Sequence, residues 1–72
     1  MTIELSNEEK IGIVNQHIKN LAYNKYNLQM TIAELEAVST PSQNDIDDIN
    51  AQIATVDLKI SALNAELVTL QA

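Results

Sequence analysis

The sequence predicts an all-α fold: an antiparallel hairpin of two long helices with a coiled-coil seam, assembling into a helical-bundle oligomer. Aliphatic residues recur at spacings of three and four along two segments, a single proline divides those segments, and the chain holds one glycine and no cysteine. A mean period of 3.5 residues is that of a coiled-coil seam, and the pattern runs far longer than a strand. Residues 1–72 read as one domain.

Helix one is expected over about residues 7–38. Ser6 followed by Glu9 has capping-box spacing: the hydroxyl accepts from the backbone three residues on, and the carboxylate reaches back to the cap. Glu8 and Glu9 sit where the positive end of the helix dipole favours acids. The apolar residues are Ile11, Val14, Ile18, Leu21, Leu28, Ile32 and Leu35, interrupted only by Lys25. With Ile11 at heptad position a, Ile18, Lys25 and Ile32 follow at a, and Val14, Leu21, Leu28 and Leu35 fall at d.

A turn at about residues 39–41 lies within Ser39-Thr40-Pro41-Ser42-Gln43. Thr40 is the preferred N-cap of helix two, with Pro41 at the first helical position and Gln43 completing a box; Ser42 with Asp45 is the competing cap. Helix two then covers about residues 42–71. Asp45, Asp47 and Asp48 suit its first turns, and its seam has no gap: Ile46, Ile49, Ile53, Val56, Ile60, Leu63, Leu67 and Leu70.

So short a connection between long helices makes them antiparallel. Folding about the turn pairs Leu35 with Ile46, Ile32 with Ile49, Leu28 with Ile53, Leu21 with Ile60, Ile18 with Leu63, Val14 with Leu67 and Ile11 with Leu70. Every a residue then faces a d residue. Lys25 meets Val56, its stem expected along the seam and its ammonium at the edge, toward Asp57.

A second set of rows occupies positions b and f. Helix one carries Tyr23, Tyr26, Met30, Ala33 and Ala37; helix two carries Ala51, Ala54, Leu58, Ser61, Ala65, Val68 and Ala72. Two explanations stand. Alanine is the best helix former and needs no partner, or the rows pack against other copies or another protein. The bulk of Tyr23, Tyr26, Met30, Leu58 and Val68 favours the second, making these residues with Ala33, Ala51, Ala54 and Ala65 a candidate oligomer interface. A chain this short hides only about 60% of its unfolded surface, and lacking cysteine it has no disulfide staple. Neighbouring copies are expected to supply the missing burial.

Ten acids against four lysines, with no arginine, give a formal charge of -6. That is the reverse of a phosphate-binding footprint, so no direct nucleic-acid binding is expected. With no apolar run of membrane-spanning length and no secretory leader pattern, a soluble intracellular protein without a membrane partner is expected. His17 is the lone histidine, at position g beside the seam. With no cysteine and no nucleophile placed against it, no catalytic residue, metal site, cofactor or enzymatic activity is expected.

The acids Glu34, Glu36, Asp45, Asp47 and Asp48 gather at the hairpin tip. Their spacing is not that of a calcium loop. They read either as a solvated helix start or as a contact for a basic protein partner. His17, Lys19 and Lys25, together with Tyr23 and Tyr26, form the one cationic and aromatic concentration, a candidate contact for a ligand or partner. The competing reading makes the tyrosines interface anchors.

The stretches Leu5-Ser6-Asn7-Glu8-Glu9-Lys10, His17-Ile18-Lys19-Asn20-Leu21 and Tyr23-Asn24-Lys25-Tyr26-Asn27-Leu28 resemble those of small uncharacterised helical-hairpin proteins of tailed phages. The resemblance implies a virion or assembly accessory, found in the virion or the host cytoplasm, or a small phage protein that blocks a host system. It supplies no catalytic residues. The expected function is a non-enzymatic structural or interaction module that self-associates through coiled-coil faces. The alternative is a small oligomeric inhibitor or ligand-sequestering protein.

Overall fold

Ser6 opens the first helix through a reciprocal pair of hydrogen bonds. In the computed structural model, which describes residues 3–72, the Glu9 amide donates to Ser6 Oγ at 3.1 Å and the Ser6 amide donates to Glu9 Oε1 at 3.0 Å. The Lys10 amide donates to the Ser6 carbonyl at 3.0 Å, the first helical bond. Helix α1 runs from Asn7 to Glu36. The Ser6 backbone N–H, and after it the Ser6 hydroxyl, hold the Glu9 carboxyl below its ordinary range.

Helix α1 stops two residues short of the expected end. The Ala37 amide is shared between the carbonyls of Ala33 at 3.1 Å and Glu34 at 3.3 Å, a bifurcated ending common at helix termini. Thr40, immediately before Pro41, is disfavoured in the helical region by the proline ring. The crossing therefore takes residues 37–42, a wider turn than residues 39–41.

Helix α2 spans Gln43–Gln71, and its start departs from the preferred sequence reading. Ser42, not Thr40, is the N-cap: its backbone is extended, at φ -82 and ψ 106, and its Oγ accepts from the Asp45 amide at 3.4 Å. Pro41 consequently lies outside the helix rather than at its first position. The cap is one-sided, because an aspartate at the third position is a methylene shorter than the glutamate a box requires. The Ile46 amide donates to the Ser42 carbonyl at 3.1 Å to begin the helical ladder.

Two contacts show the antiparallel arrangement. Lys25 Nζ lies 2.8 Å from Asp57 Oδ1 at mid-rod. At the open end, Asn7 Nδ2 donates to the Leu70 carbonyl at 3.4 Å. Along the seam, Ile46 and Val56 are buried, and the other thirteen aliphatic seam residues are half-buried, as is Lys25. Every other described residue is exposed. The hairpin measures 60 × 20 × 15 Å with a radius of gyration of 17.0 Å, against about 11 Å for a compact domain of this length. No described helix is long and apolar enough to cross a membrane.

Candidate functional site

In an antiparallel helix pair, the g and c positions of both helices share one broad flank, and the e and b positions share the other. The g/c flank leaves the d side of the seam open as three adjoining shallow grooves. Nearest the tip, one of about 370 Å³ lies between Thr31 and Leu35 on α1 and Asp45, Asp48, Ile49 and Gln52 on α2. The middle groove, about 210 Å³, is lined by Asn24, Leu28, Gln52, Thr55, Val56 and Lys59. The third, about 410 Å³, is lined by His17, Asn20, Leu21, Lys59, Ala62 and Leu63. Gln52 and Lys59 are each shared by neighbouring grooves, which makes one trough from tip to mid-rod.

The trough is open because its banks are short. Asn20, Asn24, Thr31, Thr55 and Ala62 stand where a coiled coil usually places long charged side chains that cover the seam. Thr31 Oγ1 donates back to the Asn27 carbonyl at 3.1 Å and Thr55 Oγ1 to the Ala51 carbonyl at 3.2 Å. Their hydroxyls are held to their own helix. In the sequence this flank is marked by the short residues Asn20, Asn24, Thr31, Thr55 and Ala62 at g and c.

The b and f rows divide by position. Position f points directly away from the seam, so Tyr23 and Met30 on α1 and Ala51, Leu58 and Ala65 on α2 lie on opposite long edges, whereas the b residues Tyr26 and Ala33 on α1 and Ala54 and Val68 on α2 turn toward the shared e/b flank. The α1 row is bulky, with Tyr23 and Tyr26 about 60% exposed and Met30 at 40%. The α2 row is built from Ala51, Ala54 and Ala65, punctuated by Leu58 at 72% and Val68 at 68% exposure. Ala33 stands exposed in the α1 row.

Nor do the candidate cations converge. His17 and Lys19 are two residues apart on a helix and face opposite ways. His17 borders the trough, whereas Lys19 Nζ sits 6.0 Å from the centroid of the Tyr23 ring, the outer limit for a cation–π contact. Lys25 is engaged by Asp57. Beside His17 stands Lys59, which the sequence reading left unassigned. Of the tip acids, Asp45 and Asp48 border the trough, and Asp47 accepts from Gln43 Nε2 at 2.8 Å.

The chain exposes 5482 Å², whereas a compact monomer of 7.9 kDa exposes about 4,400 Å². The surplus, on the order of 1,000 Å², is close to one partner's share of a standard protein interface. No protein-family model matches the sequence, and comparisons with curated proteins and with solved structures return no match.

Proposed function

We propose that this chain is a non-enzymatic structural or interaction module whose hairpins self-associate through their coiled-coil faces into a helical bundle. The observation that carries this is an incomplete core: fifteen aliphatic residues line the seam, yet only Ile46 and Val56 among the described residues are buried. Apolar area removed from water stabilises by roughly 25 cal/mol per Å², so covering the open seam is the largest gain still available to the molecule. The resemblance of α1 to phage hairpin proteins supports a virion or assembly accessory. The ligand-sequestering alternative is weaker, because Lys19 and Lys25 do not face the groove beside His17.

Sedimentation equilibrium at tens of micromolar is the direct test. The expected mass is a multiple of 7.9 kDa. A well-folded monomer under those conditions would overturn the proposal.

A further inference from the structure

We infer that the trough on the g/c flank is covered by the same trough of a second copy, turned end for end about a two-fold axis near Ile53 and Ala54, with Asp48 of each copy paired to Lys59 of the other. This rests on the self-association reading and specifies its first interface. Three features of the trough lead there. The floor is the open seam, the banks are polar but mostly uncharged, and the two ends carry opposite charge: Asp45 and Asp48 at the tip, Lys59 at mid-rod.

Stacking two such flanks with one copy inverted lays α2 antiparallel over α2 and α1 over α1. Residues equidistant from the axis then meet. The midpoint of Asp48 and Lys59 falls between Ile53 and Ala54, and the midpoint of Gln52 and Thr55 falls at the same place. One axis therefore matches the charged pair and, inside it, an amide with a hydroxyl. Asp45 comes over Ala62, within a turn of Lys59. On α1, at the level the hairpin register sets, Asn24 meets Thr31 and Glu34 meets Leu21, so no acid is placed against an acid there. The middle groove lies near the axis, where the Leu28 side chains of both copies close over one another.

A second copy stacked in the same direction, turned about the long axis, would instead lay α2 over α1 and bring Asp48 to the level of Glu34. Like charges juxtaposed in an interface select against that arrangement. The inverted overlap runs from the tip to about the level of Leu63, roughly 30 Å at 1.5 Å per residue. Across the 20 Å width this covers on the order of 600 Å² per copy, and about 1,200 Å² in total is where specific interfaces begin.

The test is a charge swap read by sedimentation equilibrium at low salt, with circular dichroism confirming that each variant stays helical. Lys59→Asp and Asp48→Lys singly are expected to raise the dimer Kd about tenfold or more, since each sets like charges together twice per dimer. The double variant Asp48→Lys/Lys59→Asp is expected to return to within about threefold of the parent. Asp47→Lys, an equal change of charge on the other flank, is expected to leave Kd unchanged. Single variants without effect, a double variant no tighter than the singles, or an Asp47 variant as weak as the Asp48 variant would each overturn the interface. A parent protein that is oligomeric but indifferent to these changes would leave self-association standing and remove this interface. A monomeric parent would remove both.

Discussion

The Lys25 ammonium lies 2.8 Å from the Asp57 carboxylate, and Asp57 adjoins Val56, which is only 5% exposed. A cation thus occupies a core position without being buried as a charge: the stem follows the seam and the head leaves at the edge. Asp57 is half-exposed, so solvent screens the pair, and its contribution to stability is at most about 1 kcal/mol. Its larger effect is positional. A single polar residue at an a position favours one register over slipped ones.

Lys25→Leu should therefore stabilise the hairpin. A leucine in the seam gains roughly 1.5–3 kcal/mol on burial, against loss of a pair worth less. Chemical denaturation should show a rise of about 1–2 kcal/mol. A fall would mean that the ion pair outweighs the aliphatic contact it displaces.

Gly12 is a second site of unused stability. It lies inside α1, and a Cβ built there meets nothing within 4 Å. Gly12→Ala should raise stability by about 0.5–1 kcal/mol, because alanine loses less backbone freedom in a helix. Thermal unfolding of the two proteins side by side reads this directly.

The capping box makes part of the stability depend on pH. Ser6→Ala should cost about 1 kcal/mol at neutral pH. Glu9 has a folded pKa below its ordinary value of 4.5, so its contribution is fully present above that value and is lost as pH falls through the depressed folded pKa. The stability gap between the parent and Glu9→Gln should be constant above the ordinary carboxylate range and narrow in acid. A gap that stays constant into acid would separate the cap from the Glu9 charge.

Leu58→Glu tests the outer row of α2. Position f faces away from both the seam and the g/c flank, which suits growth beyond a closed pair, so a charge at this exposed position should eliminate species larger than two hairpins while leaving helix content intact. Analytical ultracentrifugation at matched concentration distinguishes the outcomes. An unchanged mass distribution would make the row a helix-forming surface only.

Much of this molecule was legible locally. The 3.5-residue spacing marks which residues line the seam, since a helix turns each side chain by a constant angle. Ser6 and Glu9 declare their box because both partners lie within one turn. Lys25 points to Asp57 because antiparallel register places them side by side. The second cap was less legible: Thr40 and Ser42 have similar chemistry two residues apart, and the path of the crossing, with Pro41 restricting Thr40, selects Ser42. The cation cluster of His17, Lys19 and Lys25 looked like a group because the residues are close in sequence, whereas helical rotation sends His17 and Lys19 to opposite sides.

The sequence by itself determined that the chain makes two amphipathic helices joined head to tail, because periodicity and capping act within a few residues. The tertiary structure decided which surfaces remain open. Only when the helices lie side by side do their short g and c residues fall on one flank and leave a trough, while the outward f positions separate to opposite edges. Those relationships depend on the orientation of one helix to the other, a property of the pair that neither segment carries alone.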